Sequence, residues 1–124
     1  MLKDKSSSAI VGASDLERAR DFYANTLGLE LAEDMDGALT FRTGDTWLVV
    51  YQSEGFKPST ANAVAWGGGK DVETIADDLR RRGVRLEEYP DMGMEVDNGV
   101  HKDDDFRAIW FKDPDGNILH VNSM

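Results

Sequence analysis

The chain has no cysteine, which excludes disulfides, a thiol nucleophile and thiolate metal sites and fits a reducing compartment. Histidine is scarce: His101 and His120 are the only two, so nitrogen ligands for a metal are few. No apolar run approaches the roughly 20 residues that span a bilayer. The opening stretch from Met1 to Ser8 has no apolar segment of the kind a secretory signal needs. A cytoplasmic protein without a membrane partner is therefore expected. Basic residues are in deficit, 14 Lys and Arg against 24 Asp and Glu, for a net charge of −10. Binding a phosphate backbone needs a basic face, so nucleic acid is not an expected partner. Solubility accounts for the acidity; the functional alternative is an acidic field that attracts cationic small molecules.

The remainder reads as an ordinary globular chain. At 124 residues, with 40% hydrophobic and 31% charged residues, it is long enough for one domain or two small halves sharing a core. Residues 8–13 are small and apolar and read as a buried strand. Ser14 and Asp15 offer a helix N-cap, and Leu16, Ala19, Phe22, Tyr23 and Leu27 recur at helical spacing up to a C-cap at Gly28. Extended pieces follow at 29–32, 38–43 and 47–51, separated by turn signals at Asp36-Gly37 and Gly44-Asp45. Residues 53–62 are a linker without periodicity. The pattern then restarts: a strand at 63–66, a helix opened by Asp71 and closed at Gly83, an extended piece at 84–89, an irregular segment at 90–105, and a closing hairpin. That hairpin pairs Ala108-Ile109-Trp110-Phe111 with Ile118-Leu119-His120-Val121 across the turn Asp113-Pro114-Asp115-Gly116. Gly67-Gly68-Gly69 does not fit a phosphate-binding loop, because Lys70 is followed by Asp71, and reads as a turn or bulge.

The two halves repeat each other. Asp15-Leu16-Glu17 through Leu27-Gly28-Leu29 matches Asp71-Val72-Glu73 through Arg82-Gly83-Val84, with the Asp-to-Gly separations differing by a single residue. Each half reads strand, helix and three strands. Neither is expected to bury its faces alone.

These motifs are similar to those of the vicinal oxygen chelate superfamily, which includes glyoxalase I, bleomycin-resistance proteins, fosfomycin-resistance enzymes and extradiol dioxygenases. The residues carrying the resemblance are Asp15 to Tyr23, Leu27-Gly28-Leu29 and Trp110 to Asn117. The resemblance covers nearly the whole chain. It implies an α+β fold: two βαβββ modules, at about 8–52 and 63–122, forming one domain with a curved mixed sheet around a cavity, and pairing as a homodimer. Metal-using members draw ligands from the strands of both modules. The resemblance places those positions at Ser8, Val64, the strand around Trp47 to Tyr51, and His120. Ser8 is a poor divalent ligand, Val64 cannot bind metal, and the strand lacks a carboxylate. His120 alone is competent, and one imidazole holds a divalent ion weakly. No cofactor is therefore expected; a divalent metal at His120 is the alternative.

The implied cavity would take a small-molecule ligand. Its candidate lining is Ser8, Trp47, Tyr51, Trp66, Trp110 and His120, the aromatics forming a slot for a flat molecule. The competing reading puts some of these rings in the core or a subunit interface. His120 serves either as a hydrogen-bonding group and catalytic acid or base, or as a polar residue satisfied on the sheet. His101 lies in the acidic stretch 97–105, which reads as a solvated loop. Two functions remain open: metal-independent binding of an aromatic or cationic natural product, as in bleomycin-resistance proteins, or a lyase, isomerase or dioxygenase-like enzyme using His120 or a degenerate metal site.

Overall fold

The computed structural model describes all residues, Met1–Met124. The chain forms two compact units, Met1–Pro58 and Ser59–Met124. It is an α+β protein with one mixed sheet in each unit. No helix is long and apolar enough to cross a membrane.

The first unit runs β1 (Ala9–Ala13), α1 (Leu16–Arg20), a π-helical turn (Asp21–Thr26), β2 (Glu30–Met35), β3 (Ala38–Thr43) and β4 (Thr46–Gln52), in sheet order β1-β4-β3-β2. This is the expected βαβββ module. β1 and β4 are parallel; the other neighbours are antiparallel. The Asp15 carboxylate caps α1, accepting from the backbone N–H groups of Glu17 (3.0 Å) and Arg18 (3.2 Å). The expected single α-helix widens after Arg20 into π geometry, with the Leu27 N–H reaching back to the Phe22 carbonyl at 2.9 Å. At this wide turn Tyr23 enters the core, its ring 5.8 Å from that of Phe41. Alternation along the strands places Leu39, Phe41, Leu48 and Val50 in the core. Burying each such side chain contributes about 1.5–3 kcal/mol.

The second unit runs β5 (Asn62–Gly67), α2 (Val72–Arg81), a 3₁₀ turn (Pro90–Met92), β6 (Glu95–Asp97), β7 (Val100–Asp103), β8 (Phe106–Lys112) and β9 (Ile118–Asn122), in sheet order β5-β9-β8-β7-β6. Here the sequence expectation needs correcting, because residues 90–105 are not irregular. They hold a 3₁₀ turn and a β6–β7 hairpin, turning at Asn98 (φ 52°) and Gly99 (φ 87°). Strands of three and four residues are too short to show periodicity, but Asn-Gly is a hairpin signal by itself. The extended piece at 84–89 makes backbone contact with the sheet through the Leu86–Phe111 bridge and the Glu87 N–H donating to the Trp110 carbonyl at 2.8 Å. It shares one edge of β8 with β7.

Val72, Ala76 and Leu79 form the buried stripe of α2, and Ile109, Phe111, Leu119 and Val121 are buried on the helix-facing side of the sheet. The glycine triplet serves this packing. A Cβ on Gly68 would lie 2.8 Å from Val121 Cγ1 and 3.2 Å from Val72 Cγ2, so helix and strand approach only across glycine. The Gly68 N–H donates to the Asn122 carbonyl at 2.7 Å and is not free to cradle an anion.

Candidate functional site

Alternation along β7, β8 and β9 gives the second sheet two unlike faces. The register Trp110↔His120 and His101↔Ala108 places His101, Ala108, Trp110, His120 and Asn122 on the face turned away from α2. Four rings gather there. His120 stacks on Trp110, centroids 4.5 Å apart and planes 24° apart. His101 meets Trp110 edge-on at 4.8 Å, and Tyr89 meets it edge-on at 5.4 Å. Trp110, His101 and His120 are all buried. Edge-to-face and offset stacking of this kind suits the ring quadrupoles.

Both imidazoles are fully engaged. His120 Nδ1 lies 3.1 Å from the Ile109 carbonyl, which requires a proton on Nδ1. Nε2 is then the acceptor and faces the Asn122 side-chain amide at 3.1 Å. Burial pushes the His120 pKa below the usual histidine value; the Ile109 hydrogen bond opposes this, and nearby His101 adds to it. His101 has the same tautomer. Its Nε2 accepts the Tyr89 N–H at 2.9 Å, and its Nδ1–H faces the Gly99 carbonyl at 3.2 Å.

Beside the rings is a concavity of about 730 Å³, lined by Thr60, Asn62, residues 87–92, Trp110, Lys112 and Ile118. Tyr89, Met92 and Ile118 supply an apolar wall and Trp110 the floor. Glu87, Glu88 and Asp91 supply three carboxylates to the lining against one lysine, Lys112, whose Nζ lies 3.6 Å from Glu87; Arg85, outside the lining, reaches Glu87 at 4.0 Å. Burial, and then the charge of Glu87, push the Tyr89 hydroxyl pKa up, so its proton is held more firmly.

The donor set does not fit a divalent metal. No group of three or more His, Asp or Glu side chains is close enough to hold one. His120 keeps Nδ1 on a carbonyl and Nε2 on an amide, and the neighbouring imidazole is likewise saturated by backbone.

The sequence-derived candidates separate. Trp110 and His120 come together. Trp66 does not join them: it is in register with Val121, on the α2 side, while Ala65 pairs with His120. Val64 is also on that side and buried. Trp47 and Tyr51 share a face of the first sheet with Ile10 and are 37% and 42% exposed, with the Arg42 guanidinium 4.5 Å above Trp47. Ser8 is exposed, just before β1. Sequence reasoning missed Tyr89 and His101. The solvated-loop reading of His101 is overturned, since the β6–β7 hairpin turns that side chain wholly inside. The signal that would have found it is Asn98-Gly99, two residues earlier.

Residues 7–121 match the glyoxalase/bleomycin resistance protein/dioxygenase superfamily. The chain belongs to that superfamily. No curated protein matches its sequence. Among solved structures of glyoxalase-like proteins it is similar to the fosfomycin resistance protein FosX from Mesorhizobium loti. The TM-score is 0.72 at 17% identity, over 100% of this chain and 94% of that one. It is also similar to the glyoxalase family protein from Enterococcus faecalis, with a TM-score of 0.74 at 21% identity, over 98% and 99% of the two chains. A third relative is the oxidase ChaP-H2, with a TM-score of 0.74 at 22% identity, over 98% and 94%. At these identities the likeness is one of fold, and glyoxalase-like folds host different chemistries.

Proposed function

We propose that this chain is a metal-independent small-molecule-binding protein whose ligand is a planar aromatic cation, a chemistry found among natural-product antibiotics. The observation that supports this is the floor of Trp110 and wall of Tyr89 beside three carboxylates and a single lysine. An aromatic face and an acidic rim attract a cationic ring together, cation–π contact contributing about 0.5–2 kcal/mol. The net charge of −10 acts in the same direction at longer range. Bleomycin-resistance proteins, which the sequence resembles, sequester a cationic drug without metal. Proflavine, a planar aromatic cation, tests the reading against anthracene-9-carboxylate, a planar anion. Proflavine is expected to quench tryptophan fluorescence with saturation, and Trp110→Ala or Glu87→Gln to weaken it several-fold. Equal or stronger binding of the anion would refute the charge argument.

The enzyme reading rests on one feature. His120 Nε2 is partnered only by the half-buried Asn122 amide, which a substrate can displace, leaving a neutral imidazole ready to take a proton in lyase or isomerase chemistry. Turnover abolished by His120→Ala, with ligand binding retained, would favour it.

We also propose a symmetric homodimer in which a second copy covers the apolar face bearing Ile10, Trp47 and Tyr51.

A further inference from the structure

The function proposed above uses Trp110, Tyr89 and the acidic rim; it leaves His101 without a role. This imidazole has no exposure, yet it reaches the ligand wall directly. Besides the Glu87–Lys112 ion pair, the wall segment 87–92 is tied to the sheet by three hydrogen bonds. The Glu87 N–H donates to the Trp110 carbonyl, the Glu88 carboxylate accepts the Gly99 N–H at 2.9 Å, and the Tyr89 N–H donates to His101 Nε2 at 2.9 Å. Tyr89 is the last tie before Pro90, Asp91 and Met92, which continue the wall. The third tie is the one that a proton can cut.

From this geometry we infer that His101 is a positioning residue, a proton-sensitive latch that holds the Tyr89 wall closed only while its ring is neutral. The inference rests on the ligand site proposed above for its functional consequence, and on hydrogen bonding alone for the latch itself. A neutral ring with its proton on Nδ1 satisfies both partners: the Gly99 carbonyl receives a hydrogen and the Tyr89 N–H finds a lone pair. A second proton turns Nε2 into a donor pointing at another donor. The bond is lost, the Tyr89 amide must turn away, and the Tyr89 ring leaves its edge contact with Trp110.

The surroundings do not supply a counter-charge in contact with the ring. From the wall segment, Tyr89 faces it, and Glu88 is engaged at the Gly99 N–H. From β8 it meets Trp110, and its paired residue there is Ala108. From β6 it is opposite Val96. From β9 the nearby titratable group is His120, whose own protonation would repel a charge on His101. Arg80 binds the Asn98 carbonyl at the hairpin turn, its own charge paired with Asp77 at 2.8 Å, so that side supplies no free carboxylate to the ring. Protonation therefore competes with ligand. Affinity falls as His101 takes up a second proton.

The test uses ¹⁵N-labelled full-length protein without ligand, titrated from about pH 8 to about pH 5 across the range in which histidines change charge. The ring nitrogens of His101 report its protonation, and the Tyr89 amide reports the latch. The expected result is that the Tyr89 amide shifts with the same midpoint as the His101 ring and loses at least tenfold of its hydrogen-exchange protection. In His101→Gln the side-chain oxygen still accepts from Tyr89 but does not titrate. That variant should keep the protection and flatten the pH dependence of proflavine binding. If His101→Gln does not fold, the wild-type titration decides alone. A Tyr89 amide that stays protected while His101 takes up its proton overturns the latch, as does a His101→Gln variant with the wild-type pH profile. Tyr89 and His101 titrating together while proflavine fails to bind at any pH supports the latch and refutes the proposed ligand class.

Discussion

His120 lies between the indole of Trp110 and the carbonyl of Ile109, and the buried setting favours the neutral ring. The unfolded chain takes up a proton here near 6.5, and the folded chain only at lower pH. Between those points the unfolded state binds more protons, so stability falls as pH drops below about 6.5 and is retained above it. Denaturant unfolding across this range should show the loss, and His120→Gln should remove part of it; an unchanged slope would assign the titration elsewhere. Asp113 is the second residue with a sharp expectation. Its buried carboxylate accepts from the backbone N–H of Asp115 (3.0 Å) and Asn117 (2.9 Å) and from the Asn117 side chain (2.8 Å). Asp113→Ala leaves these donors without their acceptor and should cost about 2–4 kcal/mol. Asp113→Asn keeps one acceptor oxygen and should cost about 1 kcal/mol by the same reasoning. Losses below about 0.5 kcal/mol for both variants in urea melts would show that the turn does not depend on the carboxylate.

At the scale of elements, legibility tracked length. α2 and the strands β3, β4, β8 and β9 are long enough for their apolar residues to recur at the helical or strand period, and each was readable in the sequence. The β6–β7 hairpin was not, because its strands are short and polar and derive their order from pairing with each other and, for β7, with β8. The π-helical turn after Arg20 was also hidden, since its apolar residues keep a spacing compatible with an α-helix. A further element-level contact lies within the first unit. A Cβ on Gly12 would lie 2.4 Å from the Phe56 ring, so the loop after β4 rests on bare β1 backbone. Gly12→Ala should expel Phe56 and destabilise by about 1–3 kcal/mol, the usual range for overpacking. Gly12→Ala combined with Phe56→Ala should cost less than the sum of the two single changes. Additive losses in thermal or urea unfolding would mean that ring and strand are not coupled.

For the whole molecule, the exposed apolar face bearing Ile10 (62% exposed), Trp47 and Tyr51 carries the homodimer proposal. Sedimentation at micromolar concentration should give twice the chain mass, and Ile10→Glu should shift it towards the monomer while leaving the circular dichroism spectrum intact. A monomer mass for the unaltered chain at every concentration would dismiss the dimer. The charge of −10 has its own signature. Proflavine affinity should fall with added salt, because the carboxylates of the rim are screened over a Debye length of about 10 Å at 0.1 M. Salt-independent binding would leave the apolar wall and Trp110 as the source of affinity.

The sequence by itself determined the repeat, the family and the scarcity of metal ligands, because these reside in residue identity and spacing: Asp15 and Asp71 before each helix, Gly28 and Gly83 after it, Asp113 to Asn117 closing the last hairpin. Tertiary structure alone decided which rings meet. Trp66, Trp110 and Trp47 look alike in the sequence, but strand register turns Trp66 towards α2 and Trp110 towards His120, and leaves Trp47 on the exposed face of the first sheet. It also drew His101 out of an acidic stretch into the buried cluster. Side chains alternate in direction along a pleated strand, so which face a residue joins is specified only once the partner strand fixes the register.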